Sequence, residues 1–227
     1  MNIAFIAARC GSKSIKFKNI KAFCGKPLIY WNLAALENSQ NIDKVYVATD
    51  CDKIAEVVNQ FQFSKVKVFR RNAENASDES STESVMIEFL SKNFFNDDDI
   101  FTLVQVTSPL TQTHDFDNAA EQFKKENADS LLSCVREKKF AWRDNGQPLN
   151  YDFNNRPRRQ EFNGIFIENG AFYMTTIGSI KKSKNRLNGI ISIYEMAEYN
   201  SIEIDEEMDW IVAESLMKKY ILKRSDL

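Results

Sequence analysis

Read only for its hydrophobic and polar positions, the chain alternates short apolar runs with longer amphipathic ones. Runs rich in Ile, Val and Phe at residues 3–8, 45–49, 66–69, 100–106 and 130–135 predict strands. Several lack polar alternation, as strands covered on both faces do. Between them, residues 28–39, 52–61, 81–90 and 113–126 carry apolar side chains at helical spacing, with Asp52, Ser81 or Thr82, and Thr113 placed as caps. This β-α-β-α succession predicts an α/β fold, a doubly wound, mostly parallel sheet with helices on both faces. Ligands of such sheets sit beyond the carboxyl ends of the strands, which directs attention to the loops that follow them.

The rhythm breaks over residues 137–186, where charges mix with Phe140, Trp142, Tyr151 and Phe153 and where four of the seven glycines fall. This stretch is too irregular for a simple βα unit. It predicts an inserted arm whose aromatic surface would serve dimerisation. The pattern resumes with a strand at 189–195 and a closing helix at 208–219. The expected organisation is a main domain of residues 1–136 and 187–227, interrupted by the arm.

Composition narrows the classes. A chain of 227 residues with 43% hydrophobic residues and 17 Phe is long enough for one packed domain. Thirty Lys and Arg against 32 Asp and Glu give a net charge of −2, so no overall basic field invites nucleic acid or acidic lipid. The apolar start at residues 1–8 ends at Arg9 without a basic flank, too early for a secretory signal, and no run approaches the ~18 apolar residues of a membrane span. The expectation is a soluble, cytoplasmic protein. Cys10, Cys24, Cys51 and Cys134 form no C-x-x-C pair and read as separate, reduced structural thiols. His114 is the only histidine, at the start of a predicted helix where an exposed position is expected. Ser-His-Asp catalysis, Cys-His catalysis and histidine-ligated metals are set aside on that ground.

Three segments carry candidate chemistry. The first strand leads into residues 8–19, a loop with Arg9, Lys13, Lys16 and Lys18 around Gly11, Ser12 and Ser14. Backbone N–H groups near Gly11 and Ser12 could cradle phosphate oxygens while the cations neutralise them; the plain alternative is a solvated basic loop. The Walker and G-x-G-x-x-G patterns are both absent. Glu203 and Asp205, two apart, would point to one side of an extended segment and suit Mg²⁺, although Glu206, Glu207 and Asp209 also fit a solvated acidic patch. Asp50-Cys51-Asp52 follows the second strand. There Asp52 reads better as a helix cap, and Asp50 as the site candidate.

Ala8-Arg9, Ser12-Lys13 and Lys18-Asn19, followed by Gly25-Lys26-Pro27-Leu28, resemble the signature of the CMP-sialic acid synthetases, nucleotidyltransferases that activate nonulosonic acids with CTP. The resemblance recurs in order at residues 47–50, at Arg71 with Ala76-Ser77-Asp78 and Thr82, at residues 103–110, at Arg159-Gln160 with residues 168–173, and at residues 201–205. It implies a Rossmann-like nucleotidyltransferase in which the anomeric hydroxyl of an acidic nine-carbon sugar attacks the α-phosphorus of CTP. On that reading Ala8, Arg9, Gly11, Ser12, Lys13 and Lys18 would bind the nucleotide phosphates, with Asn19, Arg71 and Thr82 toward the nucleoside. Gln105, Arg159 and Gln160 would bind the sugar, Arg159 reaching from the partner of a homodimer. Asp205 with Glu203 would hold Mg²⁺, and Arg9, Lys18 and Asp205 would carry catalysis. The plain alternatives are a surface ion pair for Arg158 and Arg159 and a satisfied strand-end amide for Gln105. Three positions depart from the family: Ser14 stands for a usual Gly, Thr111 for a common Arg and Glu203 for the usual Asp. Competing expectations are 3-deoxy-manno-octulosonate as the acid, a metal-dependent glycosyltransferase using Asp50-Cys51-Asp52, and a nucleotide-binding relative without turnover.

Overall fold

The computed structural model describes residues 1–11, 14–72, 75 and 80–222. Its core is a seven-stranded sheet built from β1 (Asn2–Ala7), β4 (Lys44–Thr49), β5 (Val66–Arg70), β6 (Ile100–Val104), β7 (Ser130–Glu137), β8 (Ile165–Thr176) and β9 (Ile191–Met196) in the order β5-β4-β1-β6-β8-β7-β9. A two-stranded ribbon, β2 (Ala22–Phe23) and β3 (Lys26–Pro27), lies apart from it. Only β8 runs antiparallel to its sheet neighbours, so the expected mostly parallel sheet is present. The sheet order reverses between β1 and β6, which places a switch-point crevice beyond Ala7 and Val104.

Helices cover both faces. On one side α1 (Leu28–Asn38), α2 (Asp52–Gln60), α4 (Thr113–Glu126) and α6 (Glu207–Leu216) bury Leu33, Ile54, Phe116 and Trp210 against Ile6, Val47 and Phe172. On the other, α3 (Thr82–Lys92) and α5 (Ile177–Ser183) pack Val85, Phe89 and Ile180 on Ile3, Phe5, Leu103 and Tyr173. Burying the core strands on both faces explains their unbroken apolar runs. Ser81 caps α3, its side chain accepting from the Ser84 N–H. The other caps fall one residue before those expected: Cys51 rather than Asp52 opens α2, and Gln112 rather than Thr113 opens α4 through a reciprocal capping box with Asp115.

Two expectations are corrected. The segment 137–186 is not wholly an insert, because Ile165–Thr176 forms β8 in the middle of the sheet, pairing with both β6 and β7. What leaves the sheet is the stretch 138–164, where Trp142 bridges to Pro148 in a hairpin-like turn. Phe140 packs there on Tyr151 and Phe162 with ring centroids 4.3 and 4.8 Å apart. Nor are all four thiols separate: Cys10 and Cys51 form a disulfide, their Cα atoms 5.1 Å apart, while Cys24 and Cys134 take no part in one. The parallel β1–β4 register continues past the strands, with Ala8 N–H donating to the Ala48 carbonyl at 2.9 Å, and so sets residues far apart in sequence side by side.

Candidate active site

The crevice beyond β1 has two walls. One begins with Arg9, whose carbonyl accepts from the Asn19 amide at 3.1 Å, so Asn19 fastens the loop. Asp50, next to the end of β4, accepts from the Cys10 N–H at 3.2 Å and fastens the same loop from the other side. Asp52 pairs instead with Arg70 at 2.6 Å, so the two acids of Asp50-Cys51-Asp52 do separate jobs and no shared metal-binding pair forms. Ser12, Lys13 and Ala76-Ser77-Asp78 lie outside the described residues. Gly11 is exposed at the loop's edge.

Arg9, Arg71 and Thr82 are brought together with Ala7, Ser80, Ser81 and Val85 around a cavity of about 260 Å³. Arg71 is half-buried, and its Nε is a buried donor with no hydrogen-bond partner among the described residues. Burial lowers its pKa, Asp50 opposes that shift and the neighbouring Arg9 charge adds to it. Two guanidiniums close enough to repel, one holding an unmet donor, have the chemistry to receive an anion.

A residue that the sequence did not single out holds this wall. Glu88, 7% exposed on α3, accepts from Asn72 N–H at 2.8 Å, Asn75 Nδ2 at 2.7 Å and Lys92 Nζ at 2.7 Å, bracing the stretch just after Arg71. Burial alone would raise its pKa, but the Lys92, Asn75 and Asn72 donors outweigh burial and hold it below the ordinary value. A depressed folded-state pKa gives stability that is present above the unfolded value and lost as pH falls through the folded one. Glu88→Gln should therefore lower stability at pH 7 by about 1–3 kcal/mol, the cost of leaving buried donors poorly met. In urea unfolding, the gap from wild type should narrow as the pH falls below the range where an ordinary glutamate ionises.

The second wall joins the end of β6 and the middle of β8 to residues 203–205. Lys18 Nζ donates to the Ile204 carbonyl at 2.8 Å and lies 3.2 Å from Asp205 Oδ1, leaving one of its three protons uncommitted. Ser14 Oγ donates to the Asp205 carbonyl. The departure from glycine thus ties the loop to the acidic segment, and Ser14 is not among the residues of positive φ. Thr111 is buried and turns its hydroxyl to the Ser108 carbonyl at 3.0 Å, closing the turn after β6. Glu203 accepts from Thr107 Oγ1 at 2.9 Å. Burial pushes the Glu203 carboxyl above the ordinary value, with the Asp205 and Glu168 charges adding to that and Thr107 and Lys18 opposing it.

Among the described residues no three His, Cys, Asp or Glu side chains converge on a point. Glu203 and Asp205 are nevertheless hard oxygen donors whose mutual repulsion a divalent cation would relieve, and Mg²⁺ commonly takes one or two carboxylates with substrate phosphates completing its shell. The donor set fits. Gln105 is half-buried, with its N–H on the Ala171 carbonyl at 3.0 Å and its carboxamide free of hydrogen bonds among the described residues. Arg159 and Gln160 stand exposed on the 138–164 segment, and no hydrogen bond or ion pair among the described residues ties them to the crevice. His114 is exposed as expected, beside Asp115 at 3.5 Å. Glu168, which the resemblance includes without a role, belongs with the second wall through its effect on Glu203.

A doubly wound sheet with an anion pocket and a carboxylate pair at its switch point has the architecture of the nucleotidyltransferases. The fold matches a CMP:2-keto-3-deoxy-manno-octonic acid synthetase complexed with CTP at a TM-score of 0.70 and 15% identity, covering 96% of this chain and 98% of that one. It also matches a 4-diphosphocytidyl-2C-methyl-D-erythritol synthase from Anaerococcus prevotii at a TM-score of 0.66 and 12% identity, covering 96% of each. The family model described as cytidylyltransferase matches residues 3–222, and the chain belongs to that family. Among curated relatives, the N-acylneuraminate cytidylyltransferase of Oncorhynchus mykiss is 37% identical over 96% of this chain, and the enzyme of that name from Streptococcus agalactiae is 27% identical over 92%. The chain spans about half the length of each, 50% and 51% respectively. Among the described residues no helix is long and apolar enough to cross a membrane.

Proposed function

We propose that the protein joins CTP to a nonulosonic, sialic-type acid, giving the CMP-sugar and pyrophosphate. The observation that carries this reading is the buried, unmet Arg71 Nε beside Arg9 in a cavity at the switch point, a cation pair built for a phosphorylated ligand. The names of the curated relatives supply the substrate class. Phosphoryl-type transfer depends mainly on positioning and charge neutralisation, and a chain with a single exposed histidine has the cations for it.

In this mechanism Arg9, Lys18 and the Gly11 loop hold the triphosphate, Arg71 and Thr82 line the nucleotide pocket, and Gln105 meets the sugar. The anomeric oxygen attacks the α-phosphorus, the bond to the β-phosphate oxygen breaks, and pyrophosphate leaves. Asp205 takes the proton from the attacking hydroxyl, while Lys18, fixed between Ile204 and Asp205, keeps positive charge beside the phosphates. Glu203 and Asp205 would hold Mg²⁺, which supplies charge neutralisation and orientation of the triphosphate.

The hairpin region belongs to the same proposal. Trp142, Leu149 and Phe153 are 51%, 49% and 58% exposed, an apolar surface suited to a second copy in a homodimer, with Arg159 and Gln160 reaching the partner's sugar site. The deciding experiment follows pyrophosphate release from purified protein with CTP, Mg²⁺ and a panel of neuraminic, legionaminic and pseudaminic acids plus 3-deoxy-manno-octulosonate. Turnover of at least one nine-carbon acid is expected. Release only with the octulosonate would change the substrate, and release with none would overturn the enzyme reading.

A further inference from the structure

Behind the second wall, a chain of polar side chains runs through an otherwise apolar layer. Arg186, in the turn after α5, donates from Nε to Glu83 Oε1 at 2.5 Å, across 103 residues of sequence. Both side chains are largely covered, 20% and 24% exposed. The Arg186 guanidinium lies over the Tyr173 ring, 5.0 Å from its centroid, and the Tyr173 hydroxyl donates to Glu168. The chain touches both parts of the crevice. Glu83 follows Thr82, which lines the Arg9–Arg71 cavity. Tyr173 lies opposite Leu103, two residues before Gln105. Holding α3 against α5 does not require this pair, because Val85, Met86, Leu90, Ile177 and Ile180 already fill that layer. Its polar course ends where Glu168 keeps a second oxygen free and the Gln105 carboxamide is uncommitted, two groups suited to a polyhydroxylated ligand.

We propose that Glu83 and Arg186 are positioning residues for the acid-sugar end of the crevice, holding the Tyr173 ring and, through its hydroxyl, the Glu168 carboxylate in the orientation that meets the sugar. The proposal rests on the cytidylyltransferase reading above. Glu83 fixes the plane of the Arg186 fork, the fork covers one face of Tyr173, and the phenol fixes one oxygen of Glu168, so the free oxygen takes a single direction. Lysine at 186 keeps the charge but loses the planar fork.

The test measures initial rates with the acid and CTP varied in turn, CTP affinity by calorimetry, and thermal midpoints, for wild type, Arg186→Met, Arg186→Lys and Tyr173→Phe. Arg186→Met should raise KM for the acid about tenfold or more while the CTP dissociation constant stays within about twofold, the loss expected when a binding group is misplaced. Tyr173→Phe should reproduce that pattern, Arg186→Lys should recover part of it, and the double variant Arg186→Met/Tyr173→Phe should be no worse than the poorer single variant. Should Arg186→Met fail to fold, Arg186→Lys and Tyr173→Phe carry the same readout. Parallel losses in CTP and acid parameters, additive effects in the double variant, or an unchanged KM for the acid would overturn the positioning role while leaving the enzyme reading intact. Absence of turnover by wild type with every acid removes both.

Discussion

Asp205→Ala should fold normally and lose on the order of a thousandfold in kcat, the size of loss that follows removal of one preorganised electrostatic group. The two halves of that expectation have separate grounds. The Asp205 side chain is 70% exposed and its one ion pair among the described residues, with Lys18, is 3.2 Å long. Such a surface pair adds about 0–1 kcal/mol to stability, so the unfolding midpoint should barely move. The caps around it survive, because the N–H groups of residues 205 and 206 still reach Asp209 Oδ2 at 2.9 and 2.8 Å. Activity has no such reserve. Asp205 is the exposed member of the carboxylate pair, and the other, Glu203, is partly withdrawn by burial and already committed to Thr107. Pyrophosphate release at saturating CTP, repeated over a Mg²⁺ titration, measures the effect; turnover within a few-fold of wild type would overturn the assignment of Asp205.

Gly170→Ala should reach nearly as far from a residue that touches no ligand. Gly170 sits at φ +65°, and a Cβ there would lie 2.9 Å from Glu203 Oε2 and 3.1 Å from its Oε1 and Cδ. The backbone conformation alone costs a side-chain-bearing residue about 1–3 kcal/mol. The clash is different in kind: the atoms met are the far end of a side chain, so Glu203 yields by swinging away and giving up Thr107. The expected result is a modest loss of stability with a hundredfold or greater fall in kcat, about the effect of displacing a positioned group by an ångström. Gly146→Ala is the control, since Gly146 has φ +78° and nothing within 4 Å of the added carbon. It should show a strain penalty with activity intact. If both variants lose activity alike, Gly170 has no special relation to Glu203.

Much of the parallel half of the sheet was legible: β1, β4 and β6 are largely buried and announce themselves as apolar runs, β5 at the sheet edge shows through Val66, Val68 and Phe69, and each is found with at most a residue or two of error at the ends. β8 was not. Glu168, Asn169 and Gly170 interrupt its apolar pattern with three polar or flexible residues, and the β7–β8 register shifts between Leu132 and Cys134. Interruptions of this kind read as loops, yet here they turn polar groups toward the site. In the site, Arg9, Arg71 and Thr82 were legible as a set, as were Lys18 and the Glu203/Asp205 pair. That Asn19 and Asp50 also hold the backbone was not legible, because an amide or carboxylate beside a phosphate loop looks the same in sequence whichever it serves. Glu88 and the Cys10–Cys51 bridge left no local signal, since their partners come from elsewhere in the fold.

The position of β8 also governs the order in which the molecule can assemble. β6 and β7 do not pair with each other; both pair with the strand between them, residues 165–176. As the chain is synthesised, β5-β4-β1-β6 can form once residue 104 has emerged, but β6 keeps an open apolar edge until β8 arrives some sixty residues later. During that interval the edge that will border the crevice is also an open template for mispairing. A shortened chain ending before residue 165 would retain it permanently, and should be recovered as aggregate rather than as an inactive but soluble half.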